Sequence, residues 1–196
     1  MNAVTTFSKI FQGCTIFASE EKYSFENAEK NCIFNGRIDC LLLDSSSTEL
    51  FLVDFKSFSS AIPENFFYDE NSAATEFPDF QMPMYLYLLQ NQKKSLKVEN
   101  CCFFNVSKAE TTQVFGEELA ARVLLSKPNS KKTKNVRTAE DFIPTTEKFN
   151  QAVENFIQRI RNSDFSVSDE IQNFETCSCC RYKAVCRRTF NVSRQN

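Results

Sequence analysis

Gly36-Arg37-Ile38-Asp39-Cys40-Leu41-Leu42-Leu43, then Asp44-Ser45-Ser46-Ser47-Thr48, then Leu50-Phe51-Leu52-Val53-Asp54-Phe55-Lys56: this stretch decides the fold. Two apolar runs rich in strand-forming residues flank a cluster of turn formers, which predicts a β-hairpin. Centring the turn between Ser46 and Ser47 opposes Leu43 to Leu50, Leu41 to Leu52, and Asp39 to Asp54. Two carboxylates then face each other across the ladder. Like charges so placed destabilise a sheet, and such a pair calls for a shared cation or a shared proton. Side chains two apart on a strand share a face, so Lys56 projects on the side of Asp54. Alternation assigns Ile38, Cys40, Leu42, Val53 and Phe55 to one face and the remaining leucines to the other. The charges therefore gather at one end of an otherwise apolar sheet. The opposing reading of the same spacing is a surface hairpin, with Asp39 and Asp54 solvated or salt-bridged to Arg37 and Lys56.

Two carboxylates and an ammonium suit phosphodiester hydrolysis. Hard oxygen ligands hold Mg2+ or Mn2+ with waters left in the shell. The cation polarises phosphate and activates water, and a nearby ammonium offsets charge in the transition state.

Outward from the hairpin, further strands are expected at 14–17, 22–25 and 101–106. Helices are expected at 80–90, 117–125 and 145–163, the last from Phe149, Val153, Phe156, Ile157 and Ile160 at helical spacing after Pro144-Thr145-Thr146. Residues 126–138 are rich in Lys, Ser and Asn without apolar period and read as a flexible basic loop. The connection 57–79 lacks period and lies beside the hairpin, as substrate loops and plain connections both do. The sum is an α/β domain over 1–196, with its sheet core and candidate site in 14–106.

The chain has 196 residues, a formal net charge of −2, 21 Phe, three Gly, nine Cys, no Trp and no His. Its length suits one domain with a sizeable, Phe-rich core. An acidic balance leaves any polyanion contact to local basic stretches. Two qualify: Lys127, Lys131, Lys132, Lys134 and Arg137, and then Arg181, Lys183, Arg187, Arg188 and Arg194, each of which could equally be a solvated loop or tail. No run reaches the roughly 18–20 apolar residues of a membrane span, and no secretory leader is visible, so a cytoplasmic protein without membrane contact is expected. Four cysteines crowd into 177–186, a spacing that points to metal rather than to disulfides. Cys40, Cys101 and Cys102 are expected to be buried.

Together, Gly36-Arg37-Ile38-Asp39, Val53-Asp54-Phe55-Lys56-Ser57 and, downstream, Gln81-Met82-Pro83-Met84-Tyr85 resemble the motifs of PD-(D/E)XK nucleases. The similarity is to the RecB-like branch, including AddB-type helicase-nuclease subunits and CRISPR-associated exonucleases. The last motif matches Q-x-x-x-Y, whose spacing puts Gln81 and Tyr85 on one helical face. Cys177, Cys180 and Cys186 match the C-x2-C-x5-C clasp of the AddB type.

The resemblance implies a restriction-endonuclease-like core: a mixed central sheet flanked by helices, with the cysteine clasp at 177–188. It implies Asp39, Asp54 and the Phe55 carbonyl as ligands of Mg2+ or Mn2+, Lys56 as catalytic lysine, and Gln81 and Tyr85 in support. It implies a 4Fe–4S cluster, with zinc as the alternative, on Cys177, Cys180, Cys186 and a fourth cysteine, for which Cys14 is best placed and Cys32 or Cys179 less so. DNA is the implied substrate, with Lys131, Lys132, Lys134, Arg181 and Arg187 as candidate contacts and a helicase subunit or longer parent polypeptide as partner. An exonuclease activity is implied; a catalytically incomplete DNA-binding or structural domain is the alternative. Glu20 and Glu21 are candidates for further acidic groups. Many members of the branch carry a histidine on a helix upstream of the first Asp, and neither the histidine nor such a helix is expected here.

Overall fold

Asn2 starts the chain's first helix, α1 (Ala3–Ile10), by accepting the Val4 amide hydrogen on its side chain at 3.0 Å, the usual work of an Asn cap. This helix corrects the expectation that none precedes Asp39. Phe7, Ile10 and Phe11 form a short apolar stripe on it, and it carries no histidine. The computed structural model describes residues 2–45, 49–58, 62, 67, 80–92, 97–126 and 136–164.

Three strands follow: β1 (Cys14–Asn27), β2 (Cys32–Asp44) and β3 (Leu50–Lys56). The two strands expected at 14–17 and 22–25 are a single strand. Its pairing with β2 slips by one residue between Ile16 and Ala18, and Glu20 takes a left-handed φ of 53°. Bulges of this kind kink a strand and raise its twist without ending it, so the polar Ser19-Glu20-Glu21 stretch does not break β1. The β2–β3 register pairs Leu43 with Leu50, Leu42 with Phe51, Leu41 with Leu52 and Cys40 with Val53, as the alternation predicts.

Helix α2 (Gln81–Gln90) lies in the crossover between β3 and β4 (Val98–Asn105), which are parallel; parallel neighbours need such a connection. A tight turn, in which the Asn105 side chain accepts the Lys108 amide hydrogen at 2.9 Å, leads to the antiparallel β5 (Glu110–Phe115). Glu110, Thr111, Thr112 and Gln113 hide β5 from an apolar-pattern reading. The result is a mixed five-stranded sheet in the order β1-β2-β3-β4-β5.

Gly116, at φ 121°, then brings α3 (Glu117–Ser126) against the buried Asn100 of β4, whose side-chain Oδ1 accepts the Leu119 amide hydrogen at 3.0 Å. A Cβ on Gly116 would collide with Asn100. The cap on α3 thus comes from a strand rather than from the preceding residue. After a turn of 3-10 helix at Glu140–Phe142, α4 spans Ile143–Arg161.

The sheet has helices on both faces, the α/β arrangement expected. On one face α2, Phe142 and the first turns of α4 cover Phe34, Ile38, Leu41, Leu52, Cys101 and Phe103. On the other, α1 and Leu119 of α3 cover Cys40, Leu42, Phe51, Val53, Cys102 and Phe104. Cys40, Cys101 and Cys102 are buried. Ile38 therefore lies on the face of Leu41, not on that of Cys40 as strict alternation requires. The side-chain phase resets at Asp39, in the stretch where β1 is irregular at Glu20. On α4, Phe149 and Val153 are buried but Phe156 and Ile160 are exposed, so only the first half of its apolar stripe is core.

Arg122 of α3 ties the α1 side together. It donates to the carbonyls of Gln12 at 2.8 Å and Ile10 at 3.5 Å, and pairs with Glu118 and with the buried Asp44 at the end of β2.

The chain divides into two compact units, Met1–Ile157 and Gln158–Asn196. Of the second, residues 158–164 are described, and there Asp164 pairs with Arg159 at 3.3 Å. The clasp at 177–188 and most of the basic loop, 127–135, lie outside the described residues. No helix among the described residues is long and apolar enough to cross a membrane.

Candidate active site

Asp54 and Lys56 leave β3 on the α2 face, and Gln81 meets them from the first turn of α2. Gly36 makes the close approach of this helix possible: a Cβ there would come within 2.6 Å of Leu88 Cδ1 and 3.6 Å of the Tyr85 ring. The three side chains close a ring. Asp54 Oδ2 lies 2.7 Å from Lys56 Nζ, Lys56 Nζ donates to Gln81 Oε1 at 2.6 Å, and Gln81 Nε2 donates to Asp54 Oδ1 at 2.7 Å. The amide is oriented by charge: its oxygen faces the ammonium and its nitrogen the carboxylate. Gln81 Nε2 also donates to the Tyr85 hydroxyl at 2.9 Å, one helical turn on.

The ring is nearly dry. Asp54 is 1% exposed and Lys56 15%, and the ammonium sits 5.3 Å from the centre of the Phe103 ring, a favourable seat for a cation. Asp54 is therefore salt-bridged to Lys56, as the opposing reading allowed, but the pair is buried and not part of a solvated surface hairpin.

Asp39 reaches the site differently from expected. The ladder between β2 and β3 ends at Cys40 and Val53, and Asp39 is not paired with Asp54. Its Oδ2 instead accepts the Phe55 amide hydrogen at 2.9 Å. The side chain has taken a backbone donor that a continued ladder would use, so the strands part at the point where the carboxylates stand. Arg37 pairs with Glu20 at 3.1 Å, not with Asp39. The unfavourable pair anticipated from the register is relieved: Lys56 balances Asp54, and a backbone amide serves Asp39.

Tyr85 registers both carboxylates. Burial, first, pushes its phenol up; the Gln81 hydrogen bond lowers it, the charges of Asp54 and Asp39 raise it, and Arg37 lowers it. The hydroxyl is neutral and protonated at physiological pH. Asp39, Asp54, Lys56, Gln81 and Tyr85, singled out from sequence, are thus brought together. Of the other acidic candidates, Glu20 is held by Arg37, and Glu21 accepts from the Tyr23 hydroxyl at 3.4 Å.

Sequence reading missed Asn105. It stands beside Lys56 in the parallel ladder, is 2% exposed, and its Nδ2 has no hydrogen-bond partner among the described residues. Alternation from Phe103 places it on the same face. A polar residue in phase with Cys101 and Phe103 was the available signal.

The donor set fits a hard cation. The carboxylates of Asp39 and Asp54 with a backbone carbonyl would make an all-oxygen donor set, and a carboxylate can accept more bonds than the ones made here. Among the described residues no group of three or more His, Cys, Asp or Glu side chains could hold a metal ion; Mg2+, which keeps waters and binds through one or two carboxylates, does not require one.

Cys14, the candidate fourth cluster ligand, is half-buried beside Asp44, Glu118 and Arg122. Burial pushes its thiol up, Arg122 lowers it, and the two carboxylates raise it. Cys177, Cys180 and Cys186 lie outside the described residues, as do Lys131, Lys132, Lys134, Arg181 and Arg187.

None of the curated proteins matches the chain. The PD-(D/E)XK nuclease superfamily matches it over residues 6–187, nearly its whole length and including every residue of the ring. Superfamily members use divalent Mg2+ or Mn2+. The chain belongs to the PD-(D/E)XK nuclease superfamily.

Proposed function

We propose that this chain is a metal-dependent deoxyribonuclease that hydrolyses phosphodiester bonds at the Asp39–Asp54–Lys56–Gln81 site. The observation that carries the reading is the closed ring of Asp54, Lys56 and Gln81, buried on one face of the sheet with Asp39 beside it. Asp39, Asp54 and the Phe55 carbonyl would hold Mg2+ or Mn2+, which supplies charge stabilisation to the phosphate and acidity to water. Lys56, locked by two partners, directs a fixed positive charge at a phosphate oxygen or at the attacking water. Gln81 keeps the ammonium and the Asp54 carboxylate in place, and Tyr85 holds Gln81. Water oxygen bonds to phosphorus, the phosphorus–sugar oxygen bond breaks, and the water proton ends on the departing sugar hydroxyl.

Within this reading we assign the chain to the RecB-like branch, as an exonuclease serving DNA repair with a helicase partner or within a longer parent polypeptide. The motif order from Asp39 to Tyr85 supports this. Cys177, Cys180 and Cys186 would bind an iron–sulfur cluster or zinc. The basic residues Lys131, Lys132, Lys134, Arg181 and Arg187 would contact the DNA backbone.

The test is incubation of the full chain with linear single- and double-stranded DNA and Mn2+, beside Lys56→Ala. Degradation by the parent protein and none by the variant is expected. Equal degradation by both, or none by either with the fold intact and metal bound, defeats it. Visible absorption of anaerobically purified protein tests the cluster, and colourless, zinc-containing protein assigns zinc instead.

A further inference from the structure

Apolar surface is costly to leave in water, and most of the large hydrophobic side chains described here are buried. Phe58 and Phe80 are not: they are 70% and 44% exposed. Both are tied to the catalytic ring by the chain itself. Phe58 follows Lys56 by two residues, which limits the separation of their backbones to about 7 Å. Phe80 immediately precedes Gln81, whose side chain touches Lys56 and Asp54. Phe80 is also backed by the fully buried Phe149, with ring centres 5.8 Å apart, and is held by its neighbours while remaining 44% exposed. Two partly exposed phenylalanines thus flank, along the chain, residues that would hold a scissile phosphate.

We propose that Phe58 and Phe80 are base-stacking residues that select an unpaired strand for this site. The inference rests on the nuclease reading above and deepens it. A chain of net charge −2 gains little from general attraction to a polyanion. Stacking a nucleobase on an aromatic ring is independent of charge and is available for every base. In a duplex the base faces are already covered by their neighbours, so these rings act only on single strands or frayed ends. Continuity with the Lys56–Gln81 contact places the bases of the strand being cut, rather than a protein partner, on the two rings.

The experiment measures binding of a fluorescent oligothymidylate, and of the same backbone carrying abasic sites, to the full chain with Lys56→Ala present and Mn2+ added. Phe58→Ala and Phe80→Ala are each expected to weaken oligothymidylate binding roughly tenfold and to leave the abasic oligonucleotide unchanged. Phe58→Trp and Phe80→Tyr should restore binding, and Phe156→Ala, an exposed aromatic on α4, should change neither. Unchanged affinity, or an equal loss on both oligonucleotides, overturns the proposal, as does a fall in thermal stability with no base-dependent effect, which would assign the rings to packing within this chain. If the parent protein cleaves DNA but the phenylalanine variants discriminate as it does, only stacking is refuted. If it neither cleaves nor binds DNA, the nuclease reading falls with it.

Discussion

Gln81 is the residue whose removal tests the site most sharply, because its one amide group joins three partners. It gives a hydrogen to Asp54 at 2.7 Å and takes one from Lys56 at 2.6 Å, and these two partners form a largely buried ion pair. Hydrogen bonds to charged groups contribute about 1.5–3 kcal/mol each. In Gln81→Ala the Asp54–Lys56 ion pair survives and water can enter the space, so the losses do not sum; a net destabilisation of about 2–4 kcal/mol follows. For a chain of this size that is a fall in Tm of roughly 5–15 °C. Gln81→Glu keeps the acceptor for Lys56 but replaces the donor to Asp54 with a second carboxylate. Its deficit at neutral pH should equal or exceed that of the alanine variant, and should shrink as the pH falls and the two carboxylates share a proton. Thermal and urea unfolding by circular dichroism, with divalent ions chelated, reads both numbers. Cleavage by either variant should fall by about one to two orders of magnitude, mainly in kcat, as the lysine loses its orientation. A Gln81→Ala protein within about 0.5 kcal/mol of the parent, or a Gln81→Glu protein as stable as the parent at neutral pH, would refute the ring as a working unit.

Three further outcomes are expected. Arg122→Met leaves Asp44, 2% exposed, without its guanidinium, and should cost about 3–5 kcal/mol, with faster amide exchange in α1; a loss confined to the α3 surface would contradict the tie between α1 and α3. The Tyr23 phenol is pushed up to about 12 by burial first and by the charge and hydrogen bond of Glu21 second. The folded chain therefore keeps a proton that the unfolded chain releases near pH 10, so stability present below about pH 10 is lost as the pH rises through about 12. Absorbance titration should show a late tyrosinate that Glu21→Gln shifts downward, and a Tyr23→Phe protein with the same alkaline loss would rule this source out. Burial, and then the charge of Asp39, push the Cys40 thiol up to about 11, and burial raises Cys102. Thiol reagents at neutral pH should modify Cys40, Cys101 and Cys102 only at the rate of unfolding; rapid labelling mapped to any of them by mass spectrometry would contradict their burial.

The elements that sequence disclosed are those whose pattern and environment agree. Leu41, Leu43, Leu50 and Leu52 alternate in a hairpin with helices on both faces, and their register was legible to the residue. Gln81 was legible because an amide opening an apolar helix has no packing reason to be there. The Asp39–Asp54 contact was misplaced because pairing arithmetic assumes an uninterrupted ladder, and no residue count reveals a carboxylate that takes a backbone hydrogen from Phe55. β1 was split because charge in Ser19-Glu20-Glu21 resembles a turn, when it marks a kinked strand in which Glu20 and Lys22 are exposed. α1 was overlooked for its brevity, and β5 for its polar face. Phe156 and Ile160 carry the same spacing as Phe149 and Val153, and periodicity alone does not say which positions another element will cover.

The irregularity of β1 also bears on how this protein behaves in a crowded solution. β1 and β5 are the outer strands of the sheet, and an outer strand is an open template for the strand of another molecule. Ile16 and Phe17 are exposed on it, the composition that invites such pairing. The slipped register at Phe17 and the left-handed Glu20 bend the strand out of a flat line, and Glu20, Glu21, Lys22 and Glu26 add charge along it. Straightening that bend, as deletion of Phe17 would do, should turn a self-limiting edge into one that recruits copies of itself.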